Sequence, residues 1–568
     1  MRSRAALALL AVPTASAWEL PFSKLWSGNS DQVPLAVPDA TMASSAGSQV
    51  QGPPRIAIIG AGAAGSSAAY FLSKAVERFG ITVEVDVYEQ NDYVGGRSTT
   101  VYPYDDMTLE PVELGASIFV AVNKNMMRAS DEFNLTRINF AADDNEQMGI
   151  WDGKEFLFTQ GTRGNGYFGS WFDTLKVFWR YGYSSPVKAQ NIVKALTSRF
   201  TDLYLPTPPR WTNITSVVTE LGWADQVMLT GEEYFSSQGV GEKFIHELIG
   251  AATRVNYAQD ADKIHALEAS VSLAATGATA IKGGNWKVFD QFVKRSGAKL
   301  YLKDKVETVK KVNADTWLLR SASGTRRYNS IILAAPAPLA GLELPGEPLT
   351  PVDYVNLHVT LFTTTSPHAN PEYFGYKPGS KVPETILTAK GTAEFNSMTY
   401  HGRLKDADGV PLEPPQWVVK IFSMEKVEDA WIEKLFGHEV NWVYRKLWQP
   451  YPVLPPTTSF PSIKLDDGFY YINAFEPAIS TMETETIAAR NVVEMVLDEL
   501  LGLPGLCPFR PKADEGYTTE VEGKDFVFGW DCPEALAASE PDAAPAPETP
   551  ATPSVDVPVT VGTTPTEL

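Results

Sequence analysis

One stretch, residues 55–97, constrains the fold more than any other: RIAIIGAGAAGSSAAYFLSKAVERFGITVEVDVYEQNDYVGGR. Residues 55–59 are a short apolar run rich in β-branched side chains, as a buried parallel strand should be. The run breaks into Gly60-Ala61-Gly62-Ala63-Ala64-Gly65. Ala64, Ala68, Leu72, Ala75 or Val76, and Phe79 then recur at three- and four-residue spacing, which predicts the buried stripe of a helix with its stop at Gly80. Val83, Val85 and Val87 predict a second strand, ending at Glu89.

Strand, glycine turn, helix, strand and terminal acid in this order are the parts of a dinucleotide site. Gly60 permits the tight turn, Gly62 lets the backbone approach a pyrophosphate, and Gly65 lets helix and strand pack closely. The free N–H groups of the first helical turn, Ala63 and Ala64 among them, face the phosphates, and Glu89 is placed to accept from a ribose. Val94-Gly95-Gly96-Arg97 follows at once and resembles the second glycine fingerprint of the flavin amine-oxidase-like superfamily. That resemblance implies FAD, with the Arg97 cation near the pyrophosphate. Glu113-Leu114-Gly115-Ala116-Ser117 is similar to the segment beside the flavin in the same enzymes.

A narrower resemblance runs from about residue 55 to 501. The strings WRYGYS (179–184), EKF (242–244), RVNY (254–257), KGGN (282–285), WVVKIFS (417–423), WQPYP (448–452), YYIN (470–473) and STMET (480–484) occur in the order and spacing of the prenylcysteine oxidase (prenylcysteine lyase) family. The match is weaker at 121–165 and 343–410. It implies an α/β fold: a discontinuous Rossmann-type FAD-binding domain (55–120, 276–340 and 465–505) with an inserted α+β substrate-binding domain (121–275 and 341–464).

The remaining expectations follow the chain. Residues 1–17 carry two arginines, a short apolar run and an Ala-Ser-Ala end, as a secretory signal peptide does, and a Ser/Pro/Gly-rich flexible linker follows to residue 54. The formal net charge of −20 argues against nucleic acid or anionic membrane surfaces as partners, and no later run is long and apolar enough for a transmembrane anchor. Asn134 and Asn213 head glycosylation sequons. Cys507 and Cys532 are the only 2 cysteines, either disulfide-bonded or both free, within a C-terminal extension spanning 506–532. Neither they nor the 6 histidines have metal-ligand spacing, so no metal is expected. Trp151-Asp152-Gly153-Lys154 predicts a hairpin, and residues 168–204 a helical, aromatic-rich segment containing Phe168, Trp171, Phe172, Phe178, Trp179, Tyr181 and Tyr183. Most such rings are core; some could line a lipid pocket. Residues 299–309 read as one strand reaching Val306, where the family touches the adenine; 331–335 and 469–473 read as further strands. Ser480 or Thr481 can cap the next helix, and its start at Met482 is a second candidate for contact with the cofactor. Residues 533–568 are Pro, Ala, Thr, Val and acid without an aromatic, which predicts disorder and no lipid-anchor signal.

The family resemblance implies a reaction: FAD takes a hydride from the carbon next to sulfur in S-farnesyl- or S-geranylgeranyl-cysteine, and water attacks that carbon. The hemithioacetal collapses to an isoprenal aldehyde and cysteine, and O₂ reoxidises the cofactor to give H₂O₂. Three polar residues are candidates beside it. Arg254 could bind the substrate carboxylate or form an interdomain salt bridge; Lys420 could face the flavin or solvent; Glu476 could receive the proton of the attacking water or bond backbone at the helix start. Two rivals stand beside this reading: a secreted amine or polyamine oxidase of the same fold, and a non-catalytic FAD- and lipid-binding protein. The compartment implied is the secretory pathway, ending in lysosome, vacuole or export.

Overall fold

The computed structural model describes residues 52–139, 147–161, 176–275, 277–344, 349–391, 394–437, 439–512, 516–521 and 524–536. The expected signal peptide and linker up to residue 51, the rings at 168, 171 and 172, and the tail from 537 lie outside them.

The glycine-rich stretch folds as its pattern requires. Strand β1 (Arg55–Ile59) leads into helix α1 (Ala63–Phe79), which ends on Gly80 in the left-handed conformation, and strand β2 (Glu84–Tyr88) returns parallel to β1. One face of α1, from Ala64 through Leu72 to Ala75, is buried against the sheet and the last long helix, Met482–Leu501. Around β1 stands a six-stranded sheet in the order Lys464–Asp466, Phe469–Tyr471, Ser330–Leu333, β1, β2, Lys299–Tyr301. Every pairing is parallel except that of Lys464–Asp466 with Phe469–Tyr471. This is a Rossmann-type α/β core assembled from three distant parts of the chain.

A seven-stranded sheet of mixed direction is built from Met148–Trp151, Phe156–Gln160 and five strands between Leu357 and Trp448. Its first two strands form the hairpin expected around Gly153, whose turn is held by Asp152 Oδ1 accepting from the Lys154 and Glu155 N–H groups. One face packs on helix Asp429–Phe436; the other covers Leu109, Val112 and Leu114 beside the Rossmann core.

Three boundaries differ from expectation. The strand expected over 299–309 is two strands in different sheets, Lys299–Tyr301 and Val306–Asn313. Lys303 adopts a left-handed φ of 55° between them, and the Lys303 and Asp304 N–H groups bond the carbonyls of Asn91 and Glu89. The chain thus bends around the end of β2 instead of running straight. The strand over 469–473 stops at Tyr471 and tightens into a 3₁₀ turn, Ile472–Phe475. The segment expected to be disordered from 533 is paired at its start, Glu534–Ala535 against Tyr517–Thr518. Just before it the Cys507 and Cys532 sulfurs are bonded to each other. Arg78 of α1 donates to the carbonyls of Leu506, Gly529 and Trp530, which clamps this extension onto the Rossmann core.

Candidate active site

Gly60 and Gly65 are required by the protein's own packing. A Cβ on Gly60, where φ is +108°, would stand 2.5 Å from the Ala334 carbonyl oxygen, and one on Gly65 1.9 Å from that of Gly60. Gly62 is different: a Cβ there would meet nothing nearer than Gly96 Cα at 3.7 Å. Gly62 occupies the N-cap of α1 with no side-chain cap and no acid in the first turn, so the first N–H groups of the helix are left for a ligand. Gly95 donates to the Ala61 carbonyl at 2.9 Å and bridges Gly62, which brings the second glycine fingerprint beside the first. Glu89, at the end of β2, accepts from the Ala61 N–H at 3.0 Å and from the Asn91 backbone at 2.8 Å. Val306 is buried just beyond that bend.

Helix Met482–Leu501 packs along α1, and its start supplies the second set of candidate residues. Thr481 is its N-cap and completes a capping box with Thr484, so of the two expected caps Thr481 takes the role. Ser480 instead donates to Glu476 at 3.3 Å, and its N–H bonds the Glu268 carboxyl at 3.2 Å. Burial raises Glu268 to about 8, and burial lowers His265, one turn earlier, to about 4. His265 Nε2 meets the Pro477 carbonyl at 3.1 Å, so two groups on or beside helix Ala266–Leu273 hold the loop that delivers Ser480 and Thr481.

Glu476 is wholly buried and heavily bonded. Arg97 forms an ion pair with its Oε1, which also receives Ser480, while the Tyr354 hydroxyl donates to Oε2 at 2.8 Å. A carboxylate with its lone pairs so engaged is poorly placed as a base for water, and its partners are side chains, not the backbone N–H groups at the helix start that the other reading required. Arg254 donates from Nη1 to Asp260 at 2.8 Å and from Nε to Thr388 at 3.0 Å, a salt bridge within the expected substrate-binding domain and not the interdomain one. Lys420 points inward. Its Nζ donates to the Glu113 carbonyl at 3.0 Å and meets Ser117 Oγ at 3.3 Å. Burial lowers Lys420 to about 8, with Glu113 opposing; burial raises Glu113 to about 7 against the Asn285 N–H and Lys420. Asn285 accepts from Ile281 and donates to the Ala116 carbonyl and to Glu113, fixing the Gly115–Ser117 turn, in which Ala116 has a left-handed φ of 51°. Gly115 lies against the Trp448 ring, where a Cβ would come within 2.9 Å.

Beyond Ser117 opens a largely apolar cavity of about 140 Å³. Ile118, Phe119, Val122, Leu196, Phe200 and Val271 give it its character, and Thr481 and Met482 belong to its wall. Phe178, Trp179, Tyr181 and Tyr183 of the aromatic segment do not line it, whereas Phe200 near the end of that segment does. Tyr181 is buried and bonds Glu247, while Trp179 is 93 % exposed. Part of the apolar wall comes from Leu196 and Phe200 of helix Ser184–Phe200, late in the same segment. Asn134 is exposed, and Asn213, also exposed, caps helix Ile214–Glu220 by accepting from the Ser216 N–H.

Tyr354, Glu268 and the side chain of Glu113 belong to this site without a signal in the spacing of their neighbours. Tyr354 falls in the weakly matching segment, and Glu268 is one acid among many helical ones. Two glycine cradles, the uncapped helix start at Gly62 and the unpartnered buried carboxyl oxygens of Glu113 and Glu485 fit a flavin dinucleotide.

The comparisons with known proteins agree. A family model described as prenylcysteine lyase matches residues 168–502, and one described as an NAD(P)-binding Rossmann-like domain matches 58–133. Farnesylcysteine lyase of Arabidopsis thaliana is 28 % identical over 471 residues, covering 81 % of this chain and 91 % of the relative. Prenylcysteine oxidase 1 of Homo sapiens is 28 % identical over 474 residues, covering 78 % and 89 %. Among solved structures, putrescine oxidase aligns with a TM-score of 0.52 at 14 % identity, covering 78 % of this chain and 99 % of that one. A putative protoporphyrinogen oxidase from Exiguobacterium sp. 255-15 aligns with a TM-score of 0.53 at 12 % identity, with the same coverage. These two likenesses carry the fold alone, whereas the family match spans more than half the sequence: the chain belongs to the prenylcysteine lyase family.

Proposed function

We propose that this protein is an FAD-dependent oxidase that cleaves the thioether of S-farnesyl- or S-geranylgeranyl-cysteine with O₂ and water, giving an isoprenal aldehyde, cysteine and H₂O₂. The supporting observation is the apolar cavity that shares Thr481 and Met482 with the candidate cofactor wall. FAD, when bound, supplies the two-electron acceptor for the carbon next to sulfur. Gly62, Ala63 and Ala64, with Gly95, Gly96 and Arg97, would hold its diphosphate, Glu89 a ribose, Val306 the adenine, and Gly115–Ser117 with Ser480–Met482 the flavin end. The cavity orients the prenyl chain and excludes bulk water from it. Lys420 is the proton acceptor for the attacking water in this reading, because burial brings it to about 8 and Glu476 is occupied.

The amine-oxidase alternative needs carboxylates converging on a cationic substrate. The one acid in the cavity wall, Glu483, accepts from the Asn125 and Met126 N–H groups and is bonded by Tyr204. The deciding measurement is the flavin spectrum of the purified protein under nitrogen. Bleaching by farnesylcysteine, with H₂O₂ and isoprenal released in air, is expected. Bleaching by spermidine alone would favour the amine reading, and bound FAD bleached by neither would favour a lipid-binding protein. The same reading sets the protein in the secretory pathway, bound for lysosome, vacuole or export, and the disulfide supports an oxidising compartment. No helix among the described residues is long and apolar enough to cross a membrane.

A further inference from the structure

Glu485 stands one turn inside helix Met482–Leu501, is only 5 % exposed, and has no hydrogen-bond partner on either carboxylate oxygen. Its buried neighbours in this region do not share that condition. Glu89 bonds Ala61 and Asn91; Glu268 bonds Ser480; Glu476 bonds Arg97 and Tyr354; Glu483 bonds Asn125, Met126 and Tyr204. A desolvated carboxyl without a donor costs stability unless something absent from the chain meets it.

The surroundings say where that something lies. The charged groups that act on Glu485 are Glu476 and Arg97. The Tyr471 phenol also senses it. Helix α1, packed along the same helix, carries its titratable residues Tyr70, Lys74, Glu77 and Arg78 two turns or more beyond the phosphate cradle at Gly62. On its own helix, Glu483 is tied to Asn125 and Met126 of helix Lys124–Glu132, and Arg490 to the carbonyls of Phe528 and Leu203. Arg97 immediately follows Gly96, and Gly95 bridges Gly62. Glu485 therefore lies near the start of helix Met482–Leu501, within electrostatic reach of Arg97, which follows the glycine pair bridged to Gly62 at the N-cap of α1.

An ionised carboxylate there would oppose a diphosphate, whereas a protonated one has an O–H to give. We propose that Glu485 is a cofactor-holding residue whose neutral carboxyl donates a hydrogen bond to an oxygen of the diphosphate–ribityl segment of FAD. Burial, reinforced by Glu476 and opposed by Arg97, raises this carboxyl to about 8, so the proton is held at neutral pH. The inference rests on FAD being the cofactor.

The test is FAD binding to the full-length apoprotein, read by flavin fluorescence between pH 6 and 9.5. In the wild type the affinity should be level below pH 8 and fall by up to about tenfold per pH unit above it. Glu485→Gln keeps a neutral N–H donor and should bind within about threefold of wild type at pH 7, without that fall. Glu485→Leu should bind at least about tenfold more weakly at pH 7, also without it. Leucine fills the site without an unpaired polar atom, so its fold is checked by near-UV circular dichroism, and the comparison of the wild-type and Glu485→Gln profiles separates this titration from those of Lys420 and Glu268, which burial also brings to about 8. A wild-type affinity level to pH 9.5, the same fall in Glu485→Gln, or full affinity in Glu485→Leu would each overturn the role of Glu485. Failure of the wild type to bind FAD at any pH would instead overturn the cofactor reading itself.

Discussion

Arg97 and Glu476 form an ion pair across 379 residues of sequence, joining the second glycine fingerprint to the loop before helix Met482–Leu501. Arg97 also donates to the Pro450 carbonyl at 3.0 Å, and Tyr354 closes the far side of the carboxylate. Three separate segments are thereby locked around one buried charge. Glu476→Ala leaves Arg97 and Tyr354 without their acceptor and should destabilise the protein by about 3–5 kcal/mol, as removal of one partner of a buried pair does. Urea unfolding of the apoprotein measures this. A loss below about 1 kcal/mol would mean that the pair organises nothing.

The glycines divide into those the fold needs and the one the ligand needs. Gly65→Ala places a methyl 1.9 Å from a carbonyl oxygen and should prevent stable folding. Gly62→Ala has ordinary clearance of 3.7 Å, so the apoprotein should keep its melting temperature within a few degrees while losing most of its FAD absorbance. Equal flavin content in Gly62→Ala and wild type would refute the assigned pyrophosphate site.

The contrast shows what was legible in the sequence. Residues 55–89 disclosed their fold because each step is local: a β-branched run, a glycine turn and a helical stripe, each readable within about twenty residues. The seven-stranded sheet was harder to read, since its pairings join 148–160 to 357–448 and no local pattern specifies so distant a register. Site side chains failed to read for a related reason. Its position before a helix makes Glu476 a candidate base or a backbone partner, but the partners that hold it, Arg97 and Tyr354, arrive from remote segments. Arg254 lay in a well-matched string, yet Asp260, six residues on, and Thr388 occupy it. Lys420 within an apolar strand was the more informative anomaly, because a buried cation must find acceptors and did.

The Cys507–Cys532 bond closes a loop of 25 residues over the outer end of α1. Replacing both cysteines with serine should cost about 3 kcal/mol of stability through the entropy released to the unfolded chain. Among the described residues this loop is bonded by Arg78, Arg128 and Arg490, none of which belongs to the candidate active site, so FAD content and turnover below the melting transition should be retained. Loss of flavin in the folded double variant would show that the extension supports the cofactor as well as the scaffold.

Lys420 provides a pH signature. A base must be deprotonated to act, and burial brings Lys420 to about 8, with His401 within electrostatic reach. With FAD in excess, kcat/KM for farnesylcysteine should therefore rise with pH and level off above about 8. Lys420→Arg, which keeps a proton throughout, should lose about 10²–10³ in kcat and the rise with it. A variant that keeps the wild-type profile would assign the titration to another group.

Substrate length is the sharpest test of the apolar cavity, because its wall offers mostly carbon to the ligand. Burying one methylene-sized unit contributes about 0.8 kcal/mol, so one isoprene unit of five carbons is worth up to about 4 kcal/mol, or three orders of magnitude in affinity. Across geranyl-, farnesyl- and geranylgeranyl-cysteine, KM should fall steeply until the chain outgrows the cavity, while kcat stays within a few-fold, since the reacting carbon sits at the same distance from the anchored wall. Val122 lines the cavity and is only half-buried, so Val122→Asp should be tolerated by the fold. It sets a charge against the chain and should raise KM for farnesylcysteine by at least tenfold, leaving FAD affinity unchanged. Chain-independent KM values, together with a silent Val122→Asp, would remove the cavity from substrate binding and require the prenyl group to lie elsewhere.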